Sequence, residues 1–285
     1  NLNINDISTY QTDKYWIAEG SKGLRSIQRK GSNSFEALNE PIILDGPYSN
    51  SAFDIVCKND KVYMIIGGKD LLNGKRFDKG GYILTYDYDK WSFIDPKEAQ
   101  KKLNLPRNPR DYTSIAVTTD DSNDEIVYAS SMGDGVIQYK NGTPVQSYNE
   151  KNAFKETAGG YGSGYCYIDG LAFDKNGNLW MTSSEVNHAV LVLDKAGAWH
   201  RLDIEQLRGV YTINDILITS TNDKWIYVPR NTPKLVMIPN SESLDEVSSY
   251  EFTTLIDTDG KELTPSNYTC VAEDKDGYIW VGTNR

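Results

Sequence analysis

The stretch from Asp169 to Ser184, DGLAFDKNGNLWMTSS, has the pattern of a β-hairpin. Its first half alternates apolar and polar side chains, as a strand with one buried face does. Asn176-Gly177 then supplies a tight turn, and Leu179-Trp180-Met181 begins a returning strand. This stretch therefore predicts two antiparallel strands joined by a short turn.

The hairpin pattern recurs along the whole chain. Tyr268 to Arg285 repeats it closely, Ile213 to Asn231 and Ile4 to Leu24 repeat it loosely, and two degenerate copies lie between them. Each copy has an aromatic residue in its second strand, which we interpret as a structural anchor of the repeat. These anchors are Trp16, Tyr63, Tyr128, Trp180, Trp225 and Trp280.

The anchors recur at intervals close to, or somewhat above, the roughly 40 to 50 residues of one β-propeller blade. We therefore predict an all-β fold, a β-propeller of about six four-stranded antiparallel blades, in a single domain covering residues 1–285. The sixth unit has only two recognisable strands. Because a propeller closes by joining its last blade to its first, we expect a fragment of a seven-bladed or double propeller.

Composition narrows the function classes. The formal net charge of -10 argues against nucleic acid as a partner, because binding a phosphate backbone requires a basic face. No stretch reaches the roughly 18 to 20 apolar residues of a membrane span, so we expect no membrane contact by this segment. The first residues lack the layout of a signal peptide. The three cysteines are predicted to be small buried residues: Cys57, Cys166 and Cys270.

Two local features interrupt the repeats. Residues 67–81, GGKDLLNGKRFDKGG, are predicted to form a solvated loop, with a lid over a ligand as the alternative. Asp95-Pro96 followed by KEAQKKL predicts a short helix with proline at its first position.

A ligand is expected on the face formed by the crossings between units and by the loops between second and third strands. Aromatic side chains with a few polar partners are typical of a pocket for a sugar or a peptide. The candidate ligand-binding residues are Tyr161, Tyr165, Tyr167, Glu185, Asn187, His188 and Tyr211.

Four aspartates are expected at the same step, immediately before the innermost strand of their unit: Asp6, Asp54, Asp169 and Asp215. Since innermost strands line the axis of a propeller, these carboxylates should form a polar ring near one mouth of the channel. We expect each to accept hydrogen bonds from amides of neighbouring inner strands. A bound hard cation such as Ca²⁺ is the alternative; otherwise no cofactor or metal is expected.

An enzyme is the less favoured interpretation. Lactonase-like and lyase-like propellers use a metal held by carboxylates or a histidine acting as general acid or base. The chain has two histidines: we assign a packing or surface role to His200, and His188 is considered only as a ligand-binding candidate. It has no Gly-x-Ser-x-Gly elbow and no glycine-rich phosphate loop. We therefore predict no catalytic residues.

The phrases AEDKDGYIWVGT and AFDKNGNLWMTS resemble the repeats of the two-component regulator propeller family, found in periplasmic sensor ectodomains of Bacteroidetes. The sequence segments around Asp169, Trp225 and Trp280, taken in this order, also resemble the propeller region of PorZ-like proteins, which are surface accessories of type IX secretion. These resemblances imply a periplasmic or cell-surface location. They imply a non-catalytic recognition role, with a glycan, peptide or protein partner, in signal transduction or, alternatively, in secretion.

Overall fold

The computed structural model describes residues 6–18, 23–40, 42, 46–71, 73–154, 164–241, 243–245 and 247–284. Contacts between Cα atoms divide the chain into two compact units, Asn1–Pro47 and Tyr48–Arg285. None of the described helices is long and apolar enough to cross a membrane. The division of residues 1–285 into domains stays a prediction.

The first unit contains one antiparallel sheet whose four strands follow chain order. These strands are β1 (Asp6–Gln11), β2 (Lys14–Ala18), β3 (Leu24–Arg29) and β4 (Phe35–Ala37).

In its described residues, the second unit contains two four-stranded sheets, one eight-stranded sheet made of two consecutive four-stranded halves, and two shorter ladders, so the all-β prediction and the blade pattern are confirmed. We call the two sheets and the two halves blades two to five and the final hairpin blade six. Blade two has β5 (Ala52–Lys58), β6 (Lys61–Ile66), β7 (Ile83–Tyr86) and β8 (Trp91–Ile94). Blade three has β9 (Tyr112–Thr119), β10 (Glu125–Gly133), β11 (Gly135–Lys140) and β12 (Thr143–Tyr148).

Blades four to six continue the same order. Blade four has β13 (Cys166–Phe173), β14 (Leu179–Ser183), β15 (Val190–Leu193) and β16 (Trp199–Leu202). Blade five has β17 (Ile216–Ile218), β18 (Lys224–Val228), β19 (Lys234–Ile238) and β20 (Tyr250–Phe252). A small ladder of β21 (Leu255–Ile256) and β22 (Glu262–Leu263) precedes blade six, which pairs β23 (Asn267–Glu273) with β24 (Ile279–Asn284).

Among the described residues, two helical segments connect these strands. Helix α1 (Pro96–Leu103) confirms the predicted helix: Asp95 accepts a hydrogen bond from the Lys97 amide at 2.9 Å, and Asn104 ends the helix in the left-handed conformation. A single 3-10 turn, Glu205–Leu207, lies in the crossing between blades four and five.

The core lies between consecutive blades. Within the second unit, facing sheets of consecutive blades bury apolar side chains against each other. The layer between blades four and five is built around Trp180, which is 1% exposed, with Val192, Ile226 and Val236. Similar layers lie between blades two and three, three and four, and five and six.

An aspartate six residues before the anchor tryptophan closes the hairpin turn. Asp174 Oδ1 accepts hydrogen bonds from the backbone amides of Asn176 and Asn178 at 2.9 and 2.8 Å, and its Oδ2 accepts one from Trp180 Nε1 at 2.9 Å. The spacing D-x-x-G-x-x-W thus ties the turn to the indole in blade four. Asp274 and Trp280 repeat this arrangement in blade six, with a bond of 2.7 Å.

A buried lysine joins blade five to the same tryptophan. Lys224 is 1% exposed, and its ammonium group lies 4.6 Å from the Trp180 ring centroid and donates to the Asn222 carbonyl oxygen at 2.7 Å. Burial lowers the pKa of Lys224, while the charges of Asp174 and Asp223 oppose this change. The cation–π contact therefore supplements apolar packing between these blades.

All six anchors lie in the second strand of their hairpin. Tyr63, Tyr128 and Trp180 are buried, and Trp16 and Trp225 are half-buried. Trp280 is 66% exposed. Its strand alternates with Val281, which packs toward blade five, so the indole lies on the opposite face of the hairpin.

The prediction of three buried cysteines is wrong for two of them. Cys166 is buried, but Cys57 and Cys270 are exposed thiols. Their strand neighbours Val56 and Val271 face the core layers. Because adjacent side chains on a strand point to opposite faces, the two cysteines point away from those layers.

Replacing Asp174 by alanine should lower the free energy of unfolding by roughly 2–3 kcal/mol, because it leaves the buried Trp180 Nε1 without its acceptor and opens the turn. Asp274→Ala is the matched control: the same bonds are removed beside an exposed indole, and the loss should stay below about 1 kcal/mol. Urea unfolding followed by tryptophan fluorescence measures both values. Equal losses in the two variants would contradict burial as the cause.

Candidate functional site

The inner strands of blades two to four are joined by side-chain hydrogen bonds. Asp54 Oδ2 accepts bonds of 3.1 Å from the Ser114 hydroxyl and from the Ile115 amide of blade three. Ser114 Oγ in turn accepts the Leu171 amide of blade four at 3.2 Å. Asp54 thus makes the contact between blades that the sequence predicted for the aspartate ring.

Asp169 instead forms a buried ion pair. Its Oδ1 accepts a hydrogen bond from the ammonium group of Lys69, and its Oδ2 accepts one from the Ser184 hydroxyl at 2.5 Å. Both charged side chains are 1% exposed. Burial raises the pKa of Asp169, while Lys69 and Ser184 favour its ionised form and oppose that rise.

The Asp215 carboxyl group faces the central cavity and has little neighbouring positive charge to neutralise it. Its Oδ1 accepts the amide of Ile216, the next residue in the chain, at 2.9 Å. The carboxyl group is deep within the protein but keeps water-accessible surface, because it lines a cavity. Burial, followed by the charge of Asp54, raises the pKa of Asp215 to about 7.

The cavity has a volume of about 120 Å³ and is bounded by side chains of blades two to five. It is lined by Phe53, Asp54, Lys69, Leu71, Thr113, Asp169, Asn214, Asp215 and Tyr227. Within the described residues, no three aspartate, glutamate, histidine or cysteine side chains lie close enough to hold a metal ion together. The arrangement can bind a small polar group through carboxylates, an ammonium group and side-chain hydroxyl and amide groups.

The segment that carries Lys69 differs from the solvated loop predicted for residues 67–81. Lys69 and Arg76 face each other in a short antiparallel bridge, and Gly67 and Gly80 form bridges to residues 112 and 110. We call residues 67–71 and 73–81 the insertion hairpin. Its residues Lys69 and Leu71 line the cavity. The long apolar stem of Lys69 lets its ammonium group reach the buried Asp169, a contact that the polar composition of the segment does not indicate.

Two features fix the insertion hairpin. Asp111, which is fully buried, accepts the amides of Asp78 and Lys79 at 3.2 and 2.9 Å, and its Oδ2 lies 3.3 Å from Arg76 Nε. Gly67 has φ of +140°, and a Cβ there would lie 2.3 Å from the Tyr112 amide nitrogen. The chain therefore needs glycine where it enters the hairpin.

Tyr165 and Tyr167 lie beside Lys69 but are buried. They are 8% and 3% exposed, pack edge to face with centroids 6.3 Å apart, and form a cluster with Met132. The Lys69 ammonium group lies 5.1 Å from the Tyr167 centroid. Neither ring is exposed as a platform for stacking a sugar. Burial raises the pKa of both phenols, that of Tyr165 to about 12.

Glu185 adjoins this cluster from the loop between β14 and β15. Its backbone is left-handed, with φ of 63°, and its amide donates to the Val210 carbonyl oxygen at 2.8 Å. Burial and the charge of Asp169 raise the pKa of Glu185. Among the described residues, Glu185 Oε1 and the Tyr167 hydroxyl oxygen are buried without a hydrogen-bond partner. A left-handed residue with an unsatisfied carboxylate oxygen is a common feature of binding sites.

The remaining described candidates are not among the residues that line the cavity. Asn187 and Tyr211 are exposed and His188 is half-buried, while Tyr161 lies outside the described residues. Asp6 begins β1 in the first unit, where it accepts the Ile7 amide at 2.8 Å. His200 lies in β16 and pairs with Asp194 at 3.0 Å.

Sequence reasoning did not find Lys69, Asp111 or Arg230. Arg230 donates to Thr212 Oγ1 at 3.1 Å and packs against the tip of the insertion hairpin at Gly74. The only available signal was a pair of glycines on each side of a basic segment. Such a segment is far more often a surface loop, so the signal could not select these residues.

Gly170→Ala should destabilise the centre of the protein. A Cβ at this position would lie 2.7 Å from the Ile216 amide nitrogen and 2.8 Å from the Asp215 Cα, and backbone atoms cannot yield as a side chain does. We expect a loss of roughly 1–3 kcal/mol in unfolding free energy. Gly46→Ala, whose Cβ would meet no atom within 4 Å, is the control and should change little. Similar urea midpoints for both variants would contradict the close approach.

Asp215→Asn should alter the pH dependence of stability. The carboxyl group of Asp215 binds its proton more tightly when folded, with a pKa of about 7 against an ordinary 3.8. Its stabilising effect is therefore present below about pH 4 and is lost as pH rises through about 7. The melting temperature of Asp215→Asn relative to the native protein should thus rise between pH 4 and pH 8. Asp120→Asn, at an exposed site, should show no such trend over pH 5 to 8.

Comparison with known proteins agrees with the repeat pattern. Residues 262–285 match the family model described as the two component regulator propeller. This confirms the predicted resemblance for the last hairpin. A search of curated proteins found no significant match.

Solved structures show the same fold. PorZ of Porphyromonas gingivalis, described as an essential bacterial surface component of the type-IX secretion system, is 20% identical with a TM-score of 0.75, over 99% of this chain and 38% of that chain. The allergen Mala s 1 of Malassezia sympodialis is 11% identical with a TM-score of 0.52, over 99% of this chain and 87% of that chain. The chain thus spans 38% of the length of PorZ, and it is a β-propeller domain similar in fold to PorZ and, in its last hairpin, to the two-component regulator propeller.

Proposed function

We propose that this chain is a non-catalytic recognition domain of a cell-envelope protein, which binds a glycan, peptide or protein partner at the cavity mouth covered by the insertion hairpin. The observation that carries the proposal is a set of incompletely paired polar groups in and beside the cavity. Asp215 lines the cavity and keeps solvent-accessible surface. Next to the lining residue Lys69, the Tyr167 hydroxyl is buried without a hydrogen-bond partner among the described residues, as is Glu185 Oε1. Native proteins rarely leave such groups unsatisfied without a functional reason.

A location in the periplasm or at the cell surface forms part of the proposal. It is supported by the repeat match and by the fold shared with a bacterial surface component. A PorZ-like role in type IX secretion is the second candidate, favoured by the TM-score of 0.75. An envelope sensor and a secretion accessory would be separated by deleting the gene and measuring either ligand-dependent transcription or secretion of cargo proteins.

An enzymatic role fits the site less well. A lactonase-like or lyase-like mechanism needs several metal ligands or a histidine beside the reacting group. The described residues include no such ligand cluster, and His200 is paired with Asp194 in an outer strand. The cavity of about 120 Å³ also has room for only a few heavy atoms.

Binding can be tested by screening the purified protein against glycan and peptide arrays and measuring hits by calorimetry. We expect Glu185→Gln and Tyr167→Phe to weaken a true ligand by at least about tenfold, since a hydrogen bond to a charged group contributes roughly 1.5–3 kcal/mol. Lys195→Ala, at an exposed position, is the control and should bind normally. A ligand bound equally by all variants would place the site elsewhere, and turnover of a lactone or glycoside would refute the non-catalytic role.

A further inference from the structure

We propose that the groups around the Lys69 ammonium form a site for a primary ammonium ion, with Lys69 as its built-in occupant. An external ligand that carries a primary alkylammonium group would take the place of the Lys69 ammonium group when this side chain withdraws, while Asp111 holds the rest of the insertion hairpin in place. This inference rests on the proposed function, since it names the ligand class for the same mouth of the cavity.

The cage around Lys69 has three kinds of group that recognise an ammonium ion. Asp169 supplies a carboxylate oxygen, the Ile213 carbonyl oxygen lies 3.4 Å from Nζ, and the Tyr167 ring centroid lies 5.1 Å away. An ammonium group has three donors and no acceptor, and it binds favourably over an aromatic face. Each of the three groups of the cage therefore interacts favourably with an ammonium ion.

The cage is assembled without the insertion hairpin. Asp169 and Tyr167 lie in β13, and Ile213 lies in the crossing that follows blade four. Ser184 links them: its hydroxyl donates to Asp169 at 2.5 Å and accepts the Ile213 amide at 2.8 Å. Blade two contributes only the ammonium group. Removal of Lys69 would therefore leave the acceptors in place, as in a preorganised ligand site.

Charge and space favour a further cation. The cavity lining includes three carboxyl groups, of Asp54, Asp169 and Asp215, but one ammonium group. Its volume of about 120 Å³ corresponds to roughly four water molecules, or to a short aminoalkyl chain.

The backbone before Lys69 and the Lys69 side chain are flexible enough for the ammonium group to leave the cage. Gly67 and Gly68, with φ of +140° and +83°, precede it and permit backbone rotations that other residues resist. The flexible four-carbon stem of Lys69 lets the ammonium group withdraw while Asp111 keeps the rest of the hairpin attached. When the ammonium group of a ligand replaces that of Lys69, the Asp169 carboxylate again has a cationic partner.

Chemical rescue tests the cage directly. Lys69→Ala should lower the melting temperature by roughly 5–15 °C, because Asp169 stays buried without its partner. Adding n-butylamine should restore most of this loss with saturable dependence on concentration. The neutral isostere n-butanol should not. Lys61→Ala, which breaks the half-buried pair with Glu125, is the matched control and should gain nothing from the amine.

Further variants keep the test decisive. If Lys69→Ala fails to fold, Lys69→Met retains the apolar stem and replaces it in the same titration. Lys69→Ala combined with Asp169→Asn should recover stability and lose the response to n-butylamine. No rescue by the amine, equal rescue by n-butanol, or rescue that persists without the Asp169 carboxylate would each overturn the ammonium site.

The source of the ammonium group is tested with peptides. A peptide with a free amino terminus and no lysine is compared by calorimetry with an N-acetylated peptide containing one lysine, against both native protein and Lys69→Ala. Either should bind Lys69→Ala at least about tenfold more tightly, because the internal competitor is gone. Equal affinity for the two proteins would overturn the proposal. A ligand found on the arrays that lacks an amine would leave the recognition role intact and refute only this inference.

Discussion

The close approach of neighbouring inner strands is the constraint on which the second unit depends. The strands come so near one another that their side chains hydrogen-bond to the backbone of the next blade, as Asp54 does to Ile115. Thr113 similarly donates to the Ile168 carbonyl oxygen at 2.6 Å, and Thr182 to that of Asn214 at 2.8 Å. Small polar residues and a glycine at position 170 are required there. The apolar layers farther out then fill the widening space between the sheets.

Most of the fold could be predicted because its signals are local. Alternation with period two, a turn residue and an aromatic residue occur within one hairpin, so DGLAFDKNGNLWMTSS is sufficient to predict β13 and β14. The helix at Pro96 was equally local, since its cap and first-turn proline are adjacent. The bond from Asp174 to Trp180 explains physically why the aspartate and tryptophan recur together.

The remaining features depend on contacts between distant residues. Lys69 and Asp169 are separated by 100 positions, and nothing in a polar glycine-rich segment indicates which carboxylate it reaches. The exposure of Cys57 and Cys270 was missed for a related reason: alternation shows that a strand has two faces but does not show which face is covered. The inner aspartates were located by their repeat position. Their different partners depend on the insertion hairpin and on Ser114, which no repeat rule specifies.

The pairing of β10 with β13 joins blades three and four into one continuous ladder. Met132 faces Tyr167 and Gly133 faces Cys166, so the hydrogen bonds do not stop at the boundary between the blades. In a repeat array, each unit can open separately when only side chains connect it to its neighbours. Because the backbone ladder crosses this boundary, we expect the two sheets to open together and their amide protons to exchange through a single event. Tyr167 lies at this joint, so the ring beside Lys69 would share the protection of both sheets.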